Sequence, residues 1–470
     1  MKAHFKIIVI GSGPGGSIPG SLFAKKGEDV LMMEEGSDIP FNPTKHFSAY
    51  ELQNKYKNAG MTMSFGNNFI NYGEGFCVGG GSEVNSGLYH RLPSDILDGW
   101  NNLHEINCNK ADLAKHFDAI EQDLSISYMP AKNIPIASTL LQTGSEKLGW
   151  KCAEIPRLHK YEVDDEIGKK QTMSETYIKE FLKNGGTLLA NTKVIKISKG
   201  ARNLNIVSTS SNDGKLLDFT CDYLFIACGA INTPFLLQKS GIKKNVGTNL
   251  KLHPSFKFTA MFDDDVNFHG MGVPVHQISH FHPRISMGCS ISSKQFLALN
   301  LNETGNLEML KYWQKIATYY SMICPSGSGS ISTMPFSNSP LVRFNLSKND
   351  IDNLYKSIYL LAEVLFAAGA IRIFPSIDNE ISFSSLSELN SFKLPKIHKL
   401  NLMTIHLFSS MRMGGSKEKY STNPEGQLWQ DQSIYISDAS ILCDSPTVNP
   451  QGTVMAFARM NAINFIEEYL

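Results

Sequence analysis

The stretch from Phe5 to Glu34 constrains this chain more than any other. Phe5-Lys6-Ile7-Ile8-Val9-Ile10 is a short apolar run of the kind that a parallel sheet buries on both faces. Gly11-Ser12-Gly13-Pro14-Gly15-Gly16 follows at once, and Ser17 to Lys25 reads as a helix. Each glycine has its own reason. Gly11 permits the tight turn, Gly13 lets the backbone approach a pyrophosphate, and Gly16 lets the helix pack closely on the strand. The helix N-terminus then offers unsatisfied N–H groups to phosphates. A second run, Asp29-Val30-Leu31-Met32-Met33-Glu34, ends on an acid about twenty residues after the loop, where a carboxylate accepts from ribose hydroxyls. A dinucleotide site on a doubly wound α/β sheet is the expectation. Glu34 suits FAD and NAD equally. No second Gly-x-Gly-x-x-Gly follows a strand, which argues against one chain holding both flavin and nicotinamide. Gly327-Ser328-Gly329-Ser330 follows Pro325 with no strand–helix context and reads as a flexible turn.

Bulk properties narrow the class. A chain of 470 residues can bury a large core and favours two domains over one. Lys+Arg and Asp+Glu are equal at 44 each, and no aromatic–basic interleaving occurs, so nothing points to nucleic acid. The eight cysteines are scattered without a Cys-x-x-Cys, as reduced thiols are, rather than a disulfide framework or a zinc site. The residues before the glycine loop leave no room for a signal peptide, so none is expected, and neither Phe5–Ile10 nor the apolar stretch Ile358 to Ala370 is long enough to span a membrane. A soluble, cytoplasmic protein is expected.

Further motifs follow in order. Val78-Gly79-Gly80-Gly81-Ser82-Glu83-Val84-Asn85-Ser86-Gly87 has so little side-chain bulk that its backbone can lie against a flat or charged ligand. Asp222 to Ala227 reads as a strand ending at Cys228-Gly229-Ala230, and Ser433 to Ser437 presents Asp438 just after another. His406 opens the run His406-Leu407-Phe408-Ser409-Ser410-Met411-Arg412-Met413-Gly414. Asn449-Pro450-Gln451-Gly452-Thr453 leads into an apolar, helix-like segment.

With these motifs the chain resembles the glucose–methanol–choline (GMC) flavoprotein oxidoreductases along essentially its whole length. Val30 to Gly36 is similar to the family's ribose-binding segment, Val78 to Asn85 to its first diagnostic motif, and Gly229 to Ile242 to its second. Asn249-Leu250 followed by His253-Pro254 is similar to the segment that comes next. The resemblance implies FAD as cofactor, with Gly11, Gly13, Pro14, Gly16, Glu34, Gly80, Gly81, Ser82, Asn85, Val194, Asp438, Pro450 and Gln451 at its site. It also implies that His406 and Asn449 are the active-site His and its partner. Five positions depart from the pattern. Lys243 stands where glycine is usual and Phe76 where a polar or basic residue is common. Ser409-Ser410 replaces Gly-Thr, and Val84 occupies a position from which some members bind FAD through a histidine, so non-covalent FAD is expected here.

Alcohol oxidation needs a hydride acceptor and a group to receive the hydroxyl proton. Imidazole titrates near neutrality and suits that task, while an Asn amide does not titrate but can donate to the substrate oxygen. The expectation is FAD-dependent oxidation of a primary or secondary alcohol (sugar, amino-sugar, sterol or aliphatic), with oxygen, a quinone or a protein as electron acceptor. A redox-neutral FAD-containing lyase of the same fold, or a flavoprotein subunit of an electron-transfer complex, are the alternatives. His269, His276, His280 and His282 lack a carboxylate or thiol at ligand spacing, so they read as pocket wall or surface rather than a metal site. Asp263-Asp264-Asp265 reads as a solvated turn.

The motifs divide the chain. Residues 1–100, 186–255 and 405–470 are expected to form a Rossmann-like FAD-binding domain, and 101–185 and 256–404 a discontinuous antiparallel-sheet substrate domain. Within the latter, Ser255 to Met261 and Leu341 to Leu346 look strand-like, and Asp350 to Ala368 reads as a helix capped by Asp350 or Asn349 and ended by Gly369.

Overall fold

The computed structural model describes residues 3–42, 48–162, 168–269, 271–377 and 381–470. Its first sheet grows outward from the strand His4–Ile10. That strand pairs in parallel with Val30–Met33 on one side and with Leu216–Ile226 on the other. Thr187–Leu189 and Asp431–Ile436 extend the two flanks, again in parallel, and Gln427–Leu428 closes one edge antiparallel. Alternation along the strands divides their side chains between two cores. Ile7, Val9, Val30, Met32 and Phe225 pack on one face with Phe23 and Phe465 from the helices Pro14–Lys25 and Gln451–Tyr469. Ile8, Ile10, Leu31, Met33, Leu224 and Ile226 pack on the other. The Phe225 ring stacks on Tyr435 at 4.8 Å and meets Phe465 edge-on at 5.1 Å, a geometry that adds attraction beyond buried area. Asn205–Ser211 and Thr192–Lys199 continue from the long strand Leu216–Ile226 as an antiparallel meander.

A second, nine-stranded sheet is almost wholly antiparallel. Its centre is Ser255–Met261, paired with Ile316–Ile323 and Arg372–Pro375. The helices Ile136–Lys147 and Lys348–Ala367 cover it and share its core. A separate four-stranded sheet contains Ser328–Ser332, Leu341–Asn345, Thr248–Leu252 and Leu407–Phe408, the last of which follows directly on His406. The architecture is a Rossmann-like α/β domain with an antiparallel-sheet α+β part. Among the described residues no helix is long and apolar enough to cross a membrane.

Several local expectations change. The helix over 348–367 is capped by Ser347, whose hydroxyl accepts from Asp350 N while the Asp350 carboxylate accepts from Ser347 N; Asp350 is the third residue of a capping box, not the cap. Gly369 follows the helix end with φ +98°, as expected of a helix stop. Ser328–Ser332 is a strand, not a flexible turn. Its small residues serve close pairing: a Cβ on Gly329 would sit 2.0 Å from Arg343 O. The segments also mix. Leu113, Phe117, Ile120, Met173 and Ile178, from the stretch assigned to the second domain, belong to the core of the first. Ile70 and Tyr72, from the first hundred residues, belong to the core of the second.

The start of the helix Pro14–Lys25 leaves no room for side chains. A Cβ on Gly15 would lie 1.7 Å from Ser437 O, and one on Gly16 2.0 Å from Gly11 O. Gly15→Ala should therefore lower the unfolding free energy by about 1–3 kcal/mol through overpacking. Gly99→Ala is the contrast: Gly99 lies inside the helix Ser94–His104 with nothing within 4 Å of an added Cβ. That change should add about 0.5–1 kcal/mol from helix propensity. Denaturant unfolding of both variants checks the pair of signs.

Candidate active site

A cavity of about 870 Å³ opens at the C-terminal ends of the parallel strands, where an open α/β sheet binds its ligand. Ile10-Gly11, Met33-Glu34 and Ala227-Cys228 line it as their strands end. The helix Pro14–Lys25 begins there with Gly13 as its cap residue and no side chain bonded to its first N–H groups. Pro14 has no N–H and Gly16 N donates to Gly13 O at 3.0 Å, so the Gly15 N–H is the one left for a ligand. Gly11 has φ +98°, and its Cβ would be 2.3 Å from Ala227 O, so the turn accepts only glycine. The Gly79–Gly81 motif arrives opposite. A Cβ on Gly80 would stand 2.8 Å from Gly13 Cα, so the two glycine backbones face each other across minimal bulk.

Ser12 ties these segments together. Its N–H and hydroxyl donate to Glu34 Oε2 at 3.0 and 2.7 Å, and its Oγ accepts from Gly79 N at 3.1 Å. Glu34 Oε1 accepts from Gly36 N at 2.9 Å. Burial pushes the Glu34 carboxyl up, against the pull of those hydrogen bonds. Asp438 has a parallel role on the other flank: its carboxylate accepts from Gly229 N, the Thr233 hydroxyl and Ser440 N. Burial raises it as well. Gly11, Gly13, Pro14, Glu34, Gly80, Gly81, Asn85, Val194, Asp438, Pro450 and Gln451 all line the cavity. Two expected residues do not. Gly16 is packed behind Gly11 O. Ser82 turns inward, its hydroxyl donating to Gly79 O and accepting from Met173 N, because the short helix Gly81–Val84 presents its other face to the cavity.

His406 and Asn449 line the same cavity. Asn85 Nδ2 donates to Gln451 Oε1, joining the first glycine-rich motif to the start of the last helix beside Asn449. Among the described residues the Asn449 amide makes no hydrogen bond, so its donors are free. His406 is held by Thr404 Oγ1, which accepts from its N–H at 3.1 Å. Its Nδ1 lies 3.2 Å from Nδ1 of His253, whose Nε2 lies 2.7 Å from Ser445 Oγ. Burial, with His90 nearby, pushes the His406 imidazole down to about 3. His253 is lowered for the same reason and His90 goes to about 4. All three rings are therefore neutral at pH 7. Ser409 carries φ +66°, the left-handed conformation that the glycine usual at this place adopts without cost.

Four contributors escaped sequence reasoning. His253 was visible only as part of a segment, and nothing in its spacing pointed to His406. His90 stands in no motif. Glu74 lines the cavity, accepts from Asn232 Nδ2 at 3.3 Å and is pushed up to about 7 by burial. Lys57 sits 4.5 Å over the Phe76 ring and pairs with Glu35 at 2.9 Å, which brings a cation to the place where Phe76 departs from the family pattern. The other histidines scatter: His276 bonds Ser138, His280 stacks on Trp150 and His269 packs on Trp313. Among the described residues no group of three or more His, Cys, Asp or Glu could hold a metal ion.

The uncapped helix N-terminus, the paired glycine backbones and the buried Glu34 fit a dinucleotide. Comparison with known proteins agrees. Two family models described as GMC oxidoreductase match residues 52–255 and 329–458. A GMC-type oxidoreductase of Sinorhizobium fredii is 32% identical over 468 residues, covering 96% of this chain and 92% of its own. A long-chain-alcohol oxidase of Arabidopsis thaliana is 23% identical over 99% of this chain and 69% of its own. Among solved structures, pyridoxine 4-oxidase from Mesorbium loti superposes with a TM-score of 0.74 at 14% identity, over 99% of this chain and 100% of that one. Formate oxidase of Aspergillus oryzae gives 0.77 at 14%, over 99% of both chains. At such identities these two speak for the fold. The chain belongs to the GMC family of FAD-dependent oxidoreductases that act on CH–OH groups.

Proposed function

We propose that this protein oxidises a primary or secondary alcohol (a sugar, amino-sugar, sterol or aliphatic alcohol), with His406 receiving the hydroxyl proton. The observation that carries the reading is the placing of His406 and the free Asn449 amide on the wall of the cavity that begins at the dinucleotide cradle. FAD, when bound, supplies the hydride acceptor at its N5. Gly11, Gly13, Pro14 and Glu34, which line the cavity, would hold its nucleotide end, and Val194 and Asp438 would contact it further along. Val84 lines the cavity and offers no atom for attachment, so the cofactor is held without a covalent bond. Ile405 and Leu407 flank His406, and long-chain-alcohol oxidases are among the relatives, so aliphatic alcohols are the first substrates to try. A cytoplasmic setting goes with eight free cysteines.

His253 gives His406 its direction. Ser445 Oγ accepts from Thr447 N at 3.0 Å and lies 2.7 Å from His253 Nε2. In the tautomer in which His253 Nε2–H donates to Ser445 Oγ, His253 Nδ1 accepts from His406 Nδ1–H and His406 Nε2 keeps a lone pair for the substrate, which is the arrangement this mechanism requires. Asn449 donates its amide N–H to the substrate oxygen and fixes its orientation. Burial disfavours the imidazolium, so His406 is neutral and can accept the hydroxyl proton.

The deciding experiment is anaerobic mixing of holoenzyme with sugars, amino-sugars, sterols and aliphatic alcohols while following the visible flavin band. Bleaching by one class supports the reading, and admitting air then separates oxidase from dehydrogenase. A band that persists with every class, in protein that dithionite still reduces, favours a lyase or a complex subunit. His406→Ala should keep FAD and lose about a hundred- to ten-thousand-fold in the rate of alcohol-driven reduction; an unchanged rate removes His406 from the mechanism. The pH profile has a definite sign. Because the His406 pKa is lowered to about 3, the ring stays neutral as pH falls through the usual histidine value. The reduction rate should be flat between about pH 5 and 8 rather than falling near 6.5. An acid limb centred near the ordinary histidine pKa would show a base less buried than this one.

A further inference from the structure

Beneath the Gly79–Gly87 motif lie three charged side chains that the proposed chemistry does not use. Lys55, Glu83 and Lys170 are 2%, 0% and 3% exposed. The Glu83 carboxylate is shared between Lys55 Nζ at 3.5 Å and the Ser174 hydroxyl at 2.7 Å. Lys170 is differently placed. Its ammonium donates to Asn85 O at 2.6 Å and to Glu83 O at 3.2 Å, at the end of the short helix Gly81–Val84. Two backbone carbonyls at a helix C-terminus are a natural partner for a cation. Asn85 O belongs to the peptide whose other end is Ser86 N–H. That peptide is planar, with its C=O and N–H pointing in opposite directions. Lys170 is not part of the cavity wall, whereas Asn85, Ser86 and Gly87 are. Ser86 N–H is therefore directed away from Lys170, in a residue that lines the cavity, and among the described residues it has no hydrogen-bond partner.

We propose that Lys170 is a positioning residue for the flavin: by bonding Asn85 O it polarises the Asn85–Ser86 peptide and strengthens Ser86 N–H as a donor to the bound isoalloxazine. The inference rests on the reading that the ring lies at the His406 and Asn449 end of the cavity, to which Asn85 is tied through Gln451. Reduction adds electrons to the ring, so a cation-backed donor stabilises the reduced form more than the oxidised one. A buried lysine costs solvation, and among the described residues no carboxylate is bonded to this one to offset it. Burial pulls its pKa down to about 7, with Glu83 and Glu51 holding it up and Lys55 and Arg157 pressing it lower. At pH 6 the ammonium is charged.

The test is the two-electron midpoint potential of the holoenzyme flavin at pH 6, by equilibration with reference dyes. It needs no substrate, so it stands apart from the alcohol reading: absence of bleaching by alcohols speaks against that reading and leaves the potential free to be compared. Lys170→Met should weaken the reduced state at least about tenfold, a potential about 30 mV more negative. Lys170→Gln keeps a donor to Asn85 O without the charge and should shift in the same direction, which carries the comparison if the Met variant does not hold FAD. Lys170→Arg keeps the charge and should stay near the wild type. Met and Gln variants that bind FAD at the wild-type potential, or an Arg variant shifted as far as Met, would overturn the proposal.

Discussion

Ser12 is the point on which the binding cavity depends. Its hydroxyl and N–H take one oxygen of Glu34, and its Oγ receives Gly79 N–H, so the glycine loop, the acid ending the second strand and the second glycine motif meet at one buried side chain. Only glycines allow that meeting, because Gly13 and Gly80 approach backbone to backbone. The Gly15 N–H at the start of the helix Pro14–Lys25 is consequently left unspent. Asp438 repeats the device on the far flank, binding the first turn of the helix Gly229–Lys239 to the turn that follows the last parallel strand. Two buried carboxylates thus brace the cradle from either side. Burial raises both, and the donors gathered around each work in the opposite direction.

The chemistry at the other end of the cavity depends on withholding charge. His90, His253 and His406 are close enough to influence one another, and burial disfavours protonating any of them. A neutral imidazole with one nitrogen engaged behind it has its second nitrogen free for an incoming hydroxyl. Asn449 complements this, since its amide can orient an oxygen without adding a charge that the pocket would have to solvate. The cluster also has a consequence for stability. Groups whose pKa is lowered in the folded state contribute stability above the unfolded value of about 6.5, and that contribution is lost as acid drives protons preferentially onto the unfolded chain.

Much of this was legible in the sequence, for physical reasons that are local. Strand, glycine loop, helix and Glu34 follow one another in thirty residues, and Gly11, Gly15 and Gly16 each answer a contact that any side chain would break. The positions of His406 and Asn449 came from motif resemblance, and both line the cavity. What escaped depends on contacts between distant segments. Ser82 lies in the right motif but on the helix face turned toward Met173. Gly329 looked like a turn because close strand pairing and loop flexibility both call for glycine, and only the partner strand decides between them. Leu113 and Phe117 pack with the first core through contact of their helix with the last one, which no local signal announces. His253 needed the second sheet in place before it could meet His406.

The central claim is that the reacting hydroxyl sits between His406 and Asn449 at the end of the cavity that begins with the cradle. A crystal structure of the holoenzyme with an unreactive analogue of whichever alcohol bleaches its flavin tests this most directly. The expected result is an analogue oxygen within about 3 Å of both His406 Nε2 and the Asn449 amide, beside the flavin ring. An analogue bound with its oxygen toward other groups, or a flavin ring lying away from His406, would contradict it.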